Sequence, residues 1–153
     1  MEIASSDEHL KRALPFVGRR KEAARLERLH SQRRHALILG PAGVGKTSLV
    51  NHLKEKLGLL VCPQSERLGA LCESLEAGLG LGATSLRLPQ RKQRLLRALT
   101  GAKCTVVFDG VNWTTPKLSS FLEGVMERVP VIVFQLLCVH VLSFFCLGHH
   151  GRF

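Results

Sequence analysis

Two side chains with phosphate chemistry, Lys46 and Thr47, follow three glycines at fixed spacing, Gly40, Gly43 and Gly45. The nine residues Gly40, Pro41, Ala42, Gly43, Val44, Gly45, Lys46, Thr47 and Ser48 fit the pattern G-x-x-x-x-G-K-[ST] of a phosphate-binding loop. Glycine lets the backbone take conformations that a Cβ would block. Successive N–H groups then converge on one centre and form an anion nest. A helix that begins near Gly45 adds unpaired N–H donors and the positive end of its dipole. From the head of that helix Lys46 reaches outer phosphates as a point charge. The Thr47 hydroxyl is a candidate ligand for Mg²⁺. The second candidate for the metal is Asp109, which closes the apolar run Cys104 to Phe108. In a parallel sheet, ligands sit at the carboxyl ends of the strands, so a terminal acid there orients Mg²⁺ or its water shell.

The elements that must carry these groups are legible as alternating apolar runs. His35 to Leu39 predicts a first strand leading into the loop, and Leu49, Val50, Leu53 and Leu57 predict the helix leading out, stopped by Gly58. Leu59 to Cys62 does not alternate and predicts a second, fully buried strand. A helix is expected from Ser65 to Gly78, with Ser65 as its N-cap. Another is expected from Pro89 to Leu99, with a basic face of Arg91, Lys92, Arg94 and Arg97. Cys104 to Asp109 is the third strand. Thr115-Pro116 opens a helix whose core face is Leu118, Phe121, Leu122, Val125 and Met126, and Val131 to Phe134 is the fourth strand. Upstream, Lys21 to Gln32 predicts a basic amphipathic helix with Ala23, Leu26 and Leu29 inward. This order of strands and helices means an α/β domain with a mainly parallel sheet and right-handed crossovers that cover both faces.

The chain has 153 residues, 45% of them hydrophobic, which suits one domain with a real core and excludes a disordered chain. Lys and Arg number 22 against 12 acids, a formal charge of +10. Such a balance favours polyanions: nucleotide, nucleic acid or an acidic membrane surface. The same charges also suit solvated helix faces, and 5% aromatics leave little stacking surface for single strands. Cys62, Cys72, Cys104, Cys138 and Cys146 form no C-x-x-C pair, which points to buried reduced thiols. His149 and His150 read as solvated. Residues 1–14 are polar and lack the apolar core of a secretory signal, so a cytoplasmic location is expected.

Phe16-Val17-Gly18-Arg19-Arg20, the phosphate-binding loop and the strand Val106-Val107-Phe108-Asp109 occur in the order seen in AAA+ ATPases. The chain resembles most the bacterial branch described as Orc-like or STAND-type, over roughly residues 14–134. The resemblance implies a three-layer P-loop NTPase core, ATP and Mg²⁺ as cofactors, and a base pocket lined by Val17, Gly18 and Arg19. It also implies phosphate and Mg²⁺ roles for Lys46 and Thr47, and the strand-terminal acid role for Asp109. ATP rather than GTP rests on this resemblance alone. Two departures stand out. Where the family carries an acid that activates water, directly after the strand-terminal Asp, this chain has Gly110, with Asn112 nearby. Asn112 can orient a water but cannot take its proton, so no catalytic residue is assigned. The family's fourth strand normally ends in a polar sensor residue, and a small helical lid follows. Here the chain runs on through Phe134, Gln135 and Leu136 to Phe153, and no lid, second sensor or arginine finger can be placed.

Residues 1–14 are thus expected as a polar leader, 15–134 as the core and 135–153 as an apolar tail. Three readings of the tail stay open: a truncated or frameshifted end, a buried strand plus helix, or a membrane anchor. An anchor is disfavoured because Val131 to Phe134 is better used as a core strand, which leaves too few residues for a span. The function expected is an ATP-binding module with hydrolysis unassigned. The alternatives are a nucleic-acid-associated ATPase of initiator or transposition-helper type, supported by charge, and a signalling scaffold ordered by nucleotide.

Overall fold

The computed structural model describes residues 18–63, 67–82, 84–111 and 115–135. Val17, Ser65, Asn112, the polar leader and the tail beyond Gln135 lie outside them. In chain order the elements are α1 (Arg20–Ser31), β1 (Ala36–Leu39), α2 (Lys46–Leu57), β2 (Leu59–Cys62) and α3 (Leu68–Gly78), followed by α4 (Leu88–Leu99), β3 (Thr105–Asp109), α5 (Pro116–Met126) and β4 (Val131–Gln135). The strands form one sheet in the order β1-β4-β3-β2, and every pairing is parallel. Apolar strands joined through helices leave little choice, because parallel neighbours need a long crossover.

Alternation along the strands divides the core in two. Val107 and Ile132 join Ala36 and Leu59 on one face, under Ala23 and Leu26 of α1 and Leu49, Val50 and Leu53 of α2. Val106, Phe108, Val131 and Val133 face the other way, under α3, α4 and α5. The result is the expected three-layer α/β sandwich, with β3 and β4 at its centre. Thr105 to Phe108 are buried without a break, as a strand covered on both faces requires. The second strand departs from expectation. Leu60 and Val61 of β2 are half-buried because β2 lies at the sheet edge.

Cap chemistry matches the sequence in places. Gly58 ends α2 with φ 59°, a left-handed position that favours glycine. The Thr115 hydroxyl accepts from the Leu118 N–H at the head of α5, with Pro116 in the first turn. The helix expected from Ser65 begins instead at Leu68, after Arg67 in extended backbone.

The basic face expected on α4 is largely spent inside the fold. Arg91 Nε donates to both carboxylate oxygens of Glu76 at 3.2 Å, and its Nη1 lies 3.6 Å from Glu73. Lys92 stands over the Phe121 ring at 5.9 Å, and Arg94 donates to the Gly82 carbonyl at 3.2 Å. Glu76 is only 5% exposed, so this clamp between α3 and α4 is a buried ion pair. Hydrogen bonding from Arg91 holds the Glu76 carboxyl below its ordinary range, against the opposing effect of burial.

Two outcomes are expected. Phe121, fully buried against both α4 and the sheet, should cost about 3–5 kcal/mol when changed to Ala, read as a lower urea midpoint at unchanged slope. Because the Glu76 carboxyl is depressed in the folded state, its stabilisation is present above the ordinary value of 4.5 and fades as pH falls through the folded value. Glu76→Gln should therefore flatten the acid side of the stability profile. It should also weaken the fold at neutral pH, because Arg91 keeps only the exposed Glu73.

Candidate functional site

The loop between β1 and α2 starts where β1 ends. Gly40 is buried beneath it, while Pro41, Ala42 and Gly43 are exposed. A Cβ on Gly40 would stand 3.3 Å from Val44 Cγ2 and 3.9 Å from Lys46 Cδ, so the loop curls over this glycine. Gly43 and Gly45 have φ of 77° and 84°, conformations that L side chains rarely take. Gly45 is the N-cap of α2, and its carbonyl accepts the Leu49 N–H at 3.1 Å. The first turn of α2, with its unpaired N–H donors, therefore opens directly onto the loop.

Side chains from the loop and two other segments converge there. Lys46 Nζ donates to the Gly40 and Pro41 carbonyls, each at 2.7 Å, so the ammonium lies across the concave side of the loop. Thr47 Oγ1 donates to Asp109 Oδ2 at 2.7 Å, across 62 residues of sequence. Parallel pairing through β4 brings the carboxyl ends of β1 and β3 to one side of the sheet. Arg19, the N-cap residue of α1, donates through its guanidinium to the Val44 carbonyl. Its Nε lies 3.9 Å from where a Cβ on Gly45 would stand. Arg19 thus reaches the glycine loop, a contact that spacing could not reveal. Gly18 stands just before it, exposed, with φ 100°.

Thr47 and Asp109 supply hard oxygen donors of the kind Mg²⁺ takes alongside water and phosphate oxygens. Directly after Asp109 the chain turns at Gly110, with φ 83°, and no carboxylate stands there. A cavity of about 550 Å³ lies between α1 and β1, lined along β1 from His35 to Leu39 and by Arg19, Arg25, Leu26 and Leu49, and none of residues 40–48 lines it. Its volume falls in the range of small-molecule sites.

Other chemistry is set aside by burial. Cys62 and Cys72 are fully buried. Burial pushes the Cys62 thiol up to about 12 and the Cys72 thiol up to about 11, so both stay protonated and inert. Among the described residues, no group of three or more His, Cys, Asp or Glu side chains is arranged to hold a metal ion, and no helix is long and apolar enough to cross a membrane.

Comparison with known proteins agrees with this geometry. A family model described as AAA ATPase domain matches residues 15–139. No curated protein matches the chain. Among solved structures, Drosophila ORC bound to AT-rich DNA and Cdc6 is similar at a TM-score of 0.59 and 12% identity, over 86% of this chain and 49% of that one. Drosophila ORC bound to DNA gives 0.58 and 10%, over 86% and 81%. Drosophila ORC bound to GC-rich DNA and Cdc6 gives 0.59 and 13%, over 86% and 50%. At these identities the likeness is one of fold. The chain spans about half the length of the first of these relatives.

The loop geometry makes one position diagnostic. Gly45→Ala places a Cβ at φ 84°, and should cost about 1–2 kcal/mol of stability in chemical denaturation.

Proposed function

The chain belongs to the AAA ATPase domain family, an ATP-binding module of the AAA+ P-loop class, and from that premise we propose that residues 40–48 cradle the phosphates of ATP with Mg²⁺. The observation that carries this reading is the 2.7 Å contact of Thr47 with Asp109 beside the glycine loop. Two elements far apart in sequence bring a hydroxyl and a carboxylate to the head of one helix, where an anion is favoured. Lys46 exchanges its loop carbonyls for the outer phosphates. Backbone N–H groups of Gly43, Val44, Gly45, Lys46, Thr47 and Ser48 form the nest. Thr47 and Asp109 would hold Mg²⁺, which when bound would neutralise phosphate charge. The family resemblance puts the nucleoside end with Val17, Gly18 and Arg19. Arg19 turns its charge toward the phosphates.

Gly110 leaves the position after Asp109 without a group that can accept a proton from water. Binding with slow turnover is the activity this arrangement supports. The core is read as residues 15–134, in a cytoplasmic protein. A second reading, association with nucleic acid, draws on the +10 charge and on the DNA-bound state of the similar ORC structures.

Binding of labelled ATP and release of phosphate, measured side by side, test the first reading. Lys46→Ala should weaken ATP binding about 100-fold, or about 2.8 kcal/mol. Unchanged affinity would overturn the assignment. Thr47→Ala and Asp109→Ala should retain part of the binding and lose its Mg²⁺ dependence. Wild-type phosphate release should be slow.

A further inference from the structure

Half of the chain's net charge sits in one short stretch. Residues 19–34 hold seven Lys and Arg against two Glu, an excess of five out of +10. The fold sorts these charges. Ala23 and Leu26 of α1 are buried against α2 and the sheet. Lys21, Arg25 and Arg28 are exposed and recur at i, i+4 and i+7, which places them along one line on the side opposite Leu26. Ala24 and Gln32 lie between or beside them and carry no charge. Of the two acids of α1, Glu27 is held by Lys56 at 2.7 Å, while the exposed Glu22 flanks the line three residues before Arg25, and Glu22 and Arg25 both line the cavity beside β1.

Like charges at helical spacing repel and cost the helix a few tenths of a kcal/mol per pair. An anionic partner would reverse that cost. The cations of α4 do not compete for it, because Arg91, Lys92 and Arg94 are engaged within the fold.

We propose that the exposed cation line of α1, Lys21, Arg25 and Arg28, is a docking surface for the phosphate backbone of duplex nucleic acid, without sequence preference. The proposal rests on the second reading above and gives it a place on the molecule. The line spans roughly 10 Å along the helix, which matches about three phosphates of one strand at about 3.4 Å of duplex axis each. Residues 19–34 contain no Phe, Tyr or Trp, which leaves little platform for stacking single-stranded bases. The outward face also carries no large apolar residue to bury in a lipid surface, which sets it apart from a membrane-binding helix.

The test compares two triple variants of the full chain that change net charge equally. One is Lys21→Glu, Arg25→Glu and Arg28→Glu. The control is Arg97→Glu, Lys103→Glu and Lys117→Glu, all exposed and outside α1. Fluorescence anisotropy on a labelled random-sequence duplex reads affinity between about 50 and 200 mM salt. Wild type should bind with steep salt dependence. The α1 variant should lose at least ten-fold in affinity, and its log–log salt slope should fall by about three. The control variant should stay within three-fold of wild type. Equal losses in both variants would reduce the effect to net charge and overturn the proposal. So would absence of duplex binding at the lowest salt, or α1-dependent binding to phosphatidylserine vesicles in place of duplex. Melting curves accompany each variant, and Lys21→Gln, Arg25→Gln, Arg28→Gln substitutes if reversal unfolds α1. ATP affinity is read on the same samples. Loss of duplex binding with ATP binding intact, read also in Lys21→Glu, Arg28→Glu, which spares the cavity-lining Arg25, concerns this surface alone, whereas a wild type that binds no ATP refutes the nucleotide reading separately.

Discussion

β4 pairs in parallel with both β1 and β3, and the meeting of the glycine loop with Asp109 depends on that double pairing. Leu39 at the end of β1 pairs with Gln135, and Asp109 at the end of β3 pairs with Phe134. Two strands that never touch thus finish level on the same edge, about 10 Å apart. The gap is bridged by the first turn of α2, from which Thr47 reaches Asp109. A one-residue slip of β3 would turn the Asp109 side chain to the other face and leave Thr47 without it. The buried run Val131, Ile132 and Val133 opposes such a slip, because alternate residues serve different core layers.

The two layers of helices do different work with their charges. On one side, α3 and α4 draw arginine inward. Arg91 is held by Glu76 in a setting where neither charge is well hydrated, and losing one partner there is costly. On the other side, α1 leaves Lys21 and Arg28 exposed and packs through Ala23 and Leu26. Composition alone gives both helices the same basic character. What separates them is which carboxylates lie within reach after folding.

Much of this architecture was legible in the sequence. The glycine spacing before Lys46, the unbroken apolar run into Asp109 and the Pro116 helix start each carry a local physical signal, and each element stands where that signal put it. Edges were less legible. Leu59 to Cys62 reads as a buried strand because its residues are apolar, yet sheet order leaves Leu60 and Val61 half-covered. The basic face of α4 misled for a related reason. Periodicity shows that Arg91 and Arg94 share a helix, but not that Glu76 and the Gly82 carbonyl come to meet them. The contact of Arg19 with Val44 belongs to the same class, since it forms between segments that only the fold makes neighbours.

That last contact ties together two bodies usually described apart. Arg19 is at once the residue that starts α1 and a donor to the loop's own backbone. The geometry of the loop backbone and of the first turn of α1 is therefore set by one shared side chain, which no contact within either segment alone would achieve.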